Sequence, residues 1–366
     1  MSAPALFANL GAEEGEGWPR TAAHPRVRAA ARLWTAVFAA GARTVGPAAP
    51  PCDRLLPPLD DDPAAAFAFC EGGGLVAWLA TEEARDRAGR EGLALAGSPP
   101  EVVARVHDKA FALQAARAAG LEPPELAGVA FALAPEDLGA ADTVRFRVGG
   151  EVARWPAALR VRFVLKPRLG TSGRGRLEGR AGALDPEALR GALPRFRARG
   201  GVVVEPWLER VADLSAQLWI GADGDPVLLG TLQQVLTPGG VPLGHRGELG
   251  ADGEASSGSC WDRELRAAAL ALARAAAAAG YTGPCGVDAF CYRGADGRER
   301  LRPVVEFNAR FTAGTSALAV LARARRRGLL RGRRAFHLGV APGLDDPGAE
   351  RLALLAGDPD TALWLA

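Results

Sequence analysis

Lysine is nearly absent from this chain. Of 44 basic residues only two are lysines, Lys109 and Lys166, so a compact, mobile ammonium is kept at two places while arginine supplies the remaining positive charge. Asparagine is equally scarce, at Asn9 and Asn308. Chance survival on a solvated surface is the plain alternative for either lysine alone, and the motifs around both weigh against it. The five cysteines (Cys52, Cys70, Cys260, Cys285, Cys291) form no C-x-x-C pair and have no histidine at zinc-finger spacing. That argues against a metal cage or a disulfide framework and for reduced thiols in a cytoplasm. A basic-then-apolar leader is missing at the N-terminus. The most apolar stretch, residues 265–280, is too short for a bilayer and carries Arg266 and Arg274; it reads as an alanine-rich helix ended by Gly280. Charge of one sign is lacking too. With 44 basic and 42 acidic residues the formal net charge is +2, which generates no field that would gather nucleic acid or an anionic membrane. The arginine-rich residues 323–334 read as a solvated helix face and turn, with an anionic-substrate patch as the alternative.

What is present is enough apolar residue, 48% of 366, for two or three subdomains with continuous cores. Residues 1–105 alternate short apolar runs (5–10, 66–70, 74–79) with a helix over 25–40, the pattern of a small α/β layer. Ser98-Pro99-Pro100-Glu101 has the form of a capping box. Asp108 predicts the cap of a further helix over 109–119, stopped by Gly120. Residues from about 140 to 208 read as a separate flap: a strand over 161–166, a glycine-rich turn, a helix opened by Asp185-Pro186-Glu187, and a strand over 201–205. Residues 210–236 read as strands and 237–258 as a long polar loop. A hairpin is expected over 286–310 about the turn at Gly294-Ala-Asp-Gly297.

Two constellations carry chemistry. Lys166 ends a strand and is followed by Gly170, Thr171, Ser172, Gly173 and Gly175, where backbone N–H groups can approach phosphate oxygens and the ammonium adds a point charge. Because the lysine precedes the glycines, this is not a Walker loop; a bare hairpin is the alternative. In an extended 300–310, period-2 geometry puts Glu306, Asn308 and Arg310 on one face and Val305, Phe307 and Ala309 on the other. Asp288 on the preceding strand completes an all-oxygen set with Glu306 and Asn308, suited to Mg²⁺ bridging nucleotide phosphates. The alternative is the polar outer face of a hairpin, but an outer face needs no carboxylate set between Val287 and Ala289.

Taken in order, Asp108-Lys109, Lys166 with its glycine loop, Glu205-Pro-Trp-Leu208, Asp213, Asp288 and Glu306-x-Asn308-x-Arg310 resemble the ATP-grasp superfamily over residues 106–316. The resemblance implies an α/β (α+β) fold. An N-terminal α/β domain of the kind that precedes ATP-grasp would span 1–105. A two-lobed ATP-grasp domain would span 106–366, with a mobile glycine-loop lid over about 142–206. It also implies ATP with Mg²⁺, or Mn²⁺, as cofactors. Lys109 and Lys166 would contact phosphates beneath the loop of Gly170, Thr171, Ser172, Gly173 and Gly175. The backbone at Pro206 and Leu208, flanking Trp207, would read the adenine edge, Glu205 would assist at the adenine amine, and Asp213 would take the ribose. Asp288, Glu306 and Asn308 would hold the metal, and Arg310 and Lys166 would be catalytic. One departure is Gly286, where some members of the D-alanine ligase type carry arginine; Arg310, Arg168, Arg174 or Arg246 would then supply that charge. The implied activity is ATP-dependent joining of a small carboxylate to an amine, such as an amino acid or peptide, through an acyl phosphate with release of ADP and phosphate. A phosphotransferase and a non-catalytic nucleotide-binding protein stay open as alternatives. A homodimer in the cytoplasm is expected, without nucleic-acid or membrane partners. Acceptor-site candidates are His245, Arg246 and Glu248, with Asn9, Glu13 and Glu14 after the first strand.

Overall fold

Three sheets organise the chain in the computed structural model, which describes residues 5–38, 43–45, 74–170, 175–237, 242–340, 349–355 and 358–366. The first sheet is parallel: β1 (Ala5–Phe7) lies between β2 (Arg43–Val45) and β3 (Leu75–Ala77). β1 and β3 are buried at every position, as expected of parallel strands covered on both faces. Helix Pro25–Phe38 buries Leu33, Trp34 and Val37, and Trp34 meets Trp78 and Phe311 edge-on at 5.8 and 5.3 Å. This contact joins the first sheet to the body of the molecule. The apolar run expected at 66–70, with Cys52 and Cys70, lies outside the described residues.

Helix Pro100–His107 starts without the capping box expected at Ser98. Its cap residue, Pro99, makes no side-chain bond; the Ser98 hydroxyl accepts from the Thr282 N–H at 2.7 Å and donates to the Thr282 carbonyl at 3.0 Å. A tertiary partner just before the strand Gly283–Arg293 has outcompeted the local one. Asp108, by contrast, caps helix Lys109–Ala118 by accepting from the Ala110 N–H at 2.8 Å.

A four-stranded antiparallel unit follows, in the order β4 (Phe131–Leu133), β7 (Val202–Pro206), β5 (Arg162–Pro167), β6 (Leu177–Arg180). Helices Ala141–Val152 and Pro186–Ala198 pack with it around Phe163, Leu165, Leu189, Phe196, Val202 and Val204. The unit takes in a strand upstream of residue 142 and has its own core.

The largest sheet has nine strands, β13 (Glu299–Asn308), β12 (Gly283–Arg293), β8 (Glu209–Ile220), β9 (Pro226–Leu236), β10 (Pro242–Leu249), β14 (Ala335–Val340), β16 (Asp358–Leu365) and β15 (Glu350–Leu355) in spatial order, with β11 (Ala255–Ser256) on β10. Leu214, Ala216, Leu218, Val287, Ala289 and Phe307 point into a core completed by helix Asp262–Ala278. Alternation sends Asp213, Ser215, Gln217, Asp288, Glu306 and Asn308 to the opposite face, onto a cleft.

Two sequence expectations fail here. Part of the polar loop over 237–258 is strand β10, although its sequence is poor in strand formers. A Cβ at Gly244 or Gly247 would come within 2.2 Å of the Leu338 or Ser256 carbonyl oxygen, so close backbone pairing with neighbours fixes this strand. Arg323 is not a solvated residue but fully buried. Its guanidinium donates to the Val37 carbonyl, and to that of Ala36 at 3.5 Å, at the C-terminus of helix Pro25–Phe38, where a cation meets the negative end of the helix dipole. Among the described residues no helix is long and apolar enough to cross a membrane, and Cys260, Cys285 and Cys291 are free.

Candidate nucleotide and metal site

The cleft between the four-stranded unit and the large sheet has a volume of about 1140 Å³, above the range typical of single small-ligand pockets, so it has room for a nucleotide and a second molecule. Both lysines line it.

At one end the β7–β8 junction presents Pro206, Trp207 and Leu208 to the cleft. The guanidinium groups of Arg162 and Arg176 each lie over the Trp207 ring, 4.9 and 4.7 Å from its centroid, a cation–π arrangement that helps hold the indole. Glu205 points inward, 4% exposed, with one carboxylate oxygen on Lys166 and the other on Arg302 at 2.6 Å. Burial pushes this carboxyl up, but Arg302 and Lys166 overcome it and hold it down at about 2. Burial in turn lowers the Lys166 ammonium, against the pull of Glu205. Glu205 is therefore the charge partner of the lysine. Arg302 shares the parity of Glu306 on β13, so alternation puts it on the cleft side, though it was not singled out by sequence; three residues, Pro303 to Val305, stand opposite Ala289 alone where the strand is irregular.

At the other end Asp288 and Glu306 face each other across β12 and β13. Asp288 accepts from Gln234 Nε2 at 2.6 Å and from Asn308 Nδ2 at 3.0 Å. Asn308 Oδ1 accepts from Arg310 at 3.1 Å. Lys109 Nζ donates to Glu306 at 2.8 Å and to the Gly170 carbonyl at 2.7 Å. Burial first, and the Glu306 charge second, push the Asp288 carboxyl up to about 6. Lys109 balances Glu306, while Asp288 is raised by burial and by that neighbouring charge; with the Asn308 amide oxygen the two carboxylates form a hard-oxygen donor set. Among the described residues no group of three or more His, Cys, Asp or Glu forms a cage; this trio contains two carboxylates and one amide.

The structure thus brings together Lys109, Lys166, Gly170, Glu205, Pro206, Trp207, Leu208, Asp213, Asp288, Glu306, Asn308 and Arg310 around one cleft. Asp213 is on its wall, paired with Arg210 at 2.6 Å. Gly175, with φ +72, lies beside Arg195 at the far end of the glycine loop, its carbonyl accepting from the Arg195 guanidinium at 3.0 Å. Thr171, Ser172, Gly173 and Arg174 lie outside the described residues. At Gly286 a Cβ would come within 3.0 Å of Gln217 Oε1 and Thr312 Cγ2, so the buried Gln217 occupies the space a side chain there would need. Of the candidate replacements, Arg168 is held by Asp108 at 2.5–3.0 Å and Arg246 by Gln233 at 2.9 Å, leaving Arg310 beside the carboxylates.

The acceptor candidates divide. Asn9 has both polar atoms on the Leu79 backbone, at 2.8 and 3.1 Å, clipping β1 to the segment after β3. His245 lines the cleft but is buried, and burial, with His337 next to it, lowers it to about 4. Glu248 lies on β10 near Gly258. Glu13 reaches Arg310 and Glu14 reaches Arg199. Gln234 and Gln217, which contact the Asp288 carboxylate and underlie Gly286, were not singled out by sequence; a glutamine in a strand has no spacing signature.

The same architecture recurs in solved structures. A biotin carboxylase from Campylobacter jejuni, complexed with β,γ-ATP, shares 12% identity at a TM-score of 0.52 over 99% of this chain and 87% of that one. The biotin carboxylase domain of a 2-oxoglutarate carboxylase from Hydrogenobacter thermophilus, with MgADP, ADP and bicarbonate, shares 13% at 0.52 over 100% and 86%. A protein of Archaeoglobus fulgidus assigned to the ATP-grasp superfamily shares 15% at 0.50, each chain covered over 100%. No family model and no curated protein matches the sequence. The chain has the ATP-grasp fold.

Proposed function

We propose that the protein is an ATP-dependent ligase that activates a small carboxylate as an acyl phosphate and transfers the acyl group to an amine, releasing ADP and phosphate. The observation that carries this reading is the pair of facing carboxylates, Asp288 bonded to Asn308 and through it to Arg310, Glu306 bonded to Lys109, inside a cleft roomy enough for nucleotide and substrate. Nucleotides bound in two proteins of the same fold support it. Asp288, Glu306 and Asn308 offer the oxygens that would hold Mg²⁺, which neutralises phosphate charge when bound. Lys109 and Lys166 bind and orient the phosphates, Trp207 and its neighbours enclose the base, and the lid excludes water that would hydrolyse an acyl phosphate. Arg310, aligned by Asn308, places a guanidinium where charge develops on the transferred group. No side-chain nucleophile is needed, because substrate oxygen and substrate nitrogen perform both attacks.

The test is release of ADP and phosphate against panels of acids, bicarbonate included, and amines. A ligase releases both products in quantity only when acid and amine are present together. Release of ADP without phosphate would replace ligation by phosphoryl transfer, and no release above background would overturn the reading.

A further inference from the structure

Two consecutive acids in the segment after β1 reach in opposite directions. Gly11 holds φ +92, and a Cβ there would lie 2.6 Å from Thr21 Cγ2, so the turn into the 3-10 segment Ala12–Gly17 is fixed by packing against the next helix. Glu13 pairs with Arg310 Nε at 2.5 Å, the two side chains 2% and 10% exposed. Glu14 pairs with Arg199 at 2.5 Å, at 8% and 16%. Arg199 caps the lid helix Pro186–Ala198, and its carbonyl accepts from the Leu169 N–H at 3.1 Å, in the stem of the glycine loop. One residue further, the Gly170 carbonyl accepts from Lys109, which holds Glu306. A chain of charge contacts therefore runs from the lid through Glu14 and Glu13 to the arginine beside the two carboxylates.

We propose that Glu13 and Glu14 couple closure of the lid to the placement of Arg310, with Glu13 a positioning residue for that arginine and Glu14 the lid's receiving carboxylate. Glu13 Oε2 and Glu14 Oε1 are buried without a hydrogen-bond partner among the described residues. Half-satisfied buried carboxylates contribute little net stability, and they are specific to one geometry, the placement of the lid seen here with Arg199 at Glu14. Because the two acids are adjacent on one short, packed segment, fixing Glu14 also fixes Glu13 and holds Arg310 at Asn308. Opening the lid releases the segment and with it the arginine.

Reciprocity supplies the test, since coupling acts equally in both directions. Binding of a non-hydrolysable ATP analogue with Mg²⁺ and amide exchange over residues 175–198 would be measured on the full chain for Glu14→Gln, Arg199→Ala, their double, and the swap Glu14→Arg/Arg199→Glu. Each single variant should weaken analogue binding about fivefold or more and speed lid exchange. The double should cost no more than a single, and the swap should recover most of the loss. Glu13→Gln, which touches no lid residue, should also speed lid exchange, and should lower kcat with little change in nucleotide KM; Glu13→Asp should recover part of both. Additive losses for Glu14 and Arg199, or wild-type lid exchange in Glu13→Gln, would overturn the coupling. The kcat comparison alone rests on the ligase reading: if the wild type turns over no acid and amine pair, that reading fails while binding and exchange still decide the coupling.

Discussion

Replacing Glu205 by Gln removes the one anion between two buried cations, Lys166 and Arg302. The displacement of its carboxyl from 4.5 to about 2 corresponds to about 3 kcal/mol of native-state stabilisation at about 1.4 kcal/mol per pH unit. Leaving the two cations without their partner adds to this, so a loss of about 3–5 kcal/mol is expected near neutral pH. For 366 residues this lowers Tm by about 4–6 °C. The sign of the pH dependence follows from the lowered value. The stabilisation is fully present above about 4.5, where Glu205 is ionised folded and unfolded, and is lost as pH falls through about 2, where the folded protein takes up its proton. The gap between wild type and Glu205→Gln should therefore shrink by about 2 kcal/mol between pH 6 and pH 3. Denaturant unfolding of the nucleotide-free proteins at those two values measures it. A gap below about 1 kcal/mol at pH 6, or one unchanged at pH 3, would refute the role of Glu205 as the charge partner of the lysine.

Glu306→Gln should abolish ATP turnover while far-UV circular dichroism stays native; turnover within a few-fold of wild type at saturating Mg²⁺ would remove Glu306 from the metal set. An ATP-derived acylating probe should label Lys109 and Lys166, the only lysines, and excess ATP should protect both; mass spectrometry showing labelling indifferent to ATP would place them outside the nucleotide site. Lys166→Arg should not restore analogue binding, because a planar fork cannot replace a compact ammonium among Glu205, Arg210 and Arg302. Amide exchange in β5 and β6 should slow when the analogue and Mg²⁺ are added, and slow less in an Asp288→Asn/Glu306→Gln double variant; equal exchange with and without nucleotide would mean that the glycine turn does not close on phosphates.

Local geometry made several elements readable directly. Asp108 and Asp185 announce helix starts because a short acceptor side chain satisfies N–H groups two or three residues ahead. The β12–β13 hairpin and its cleft-facing Asp288, Glu306 and Asn308 follow from a period of two, which needs no knowledge of the rest of the chain. Rarity did the same for Lys109 and Lys166, since arginine elsewhere made each ammonium conspicuous.

Everything that depends on a partner distant in sequence was settled by the tertiary structure. Strand β10 exists because β9 and β14 offer it backbone partners, Ser98 abandoned its helix for Thr282, and Arg323 is buried because the end of a helix nearly three hundred residues away, at Val37, accepts its protons. The same holds inside the cleft. Glu205 was legible as a carboxylate on a strand edge, but whether it meets a ligand or two cations is decided by where Lys166 and Arg302 arrive. Glu13 and Glu14 were legible as acids after a first strand; that one meets Arg310 and the other the lid is a consequence of how three sheets pack. Hydrogen-bond donors and charges act over a few ångströms in space, and only folding determines which residues come that close.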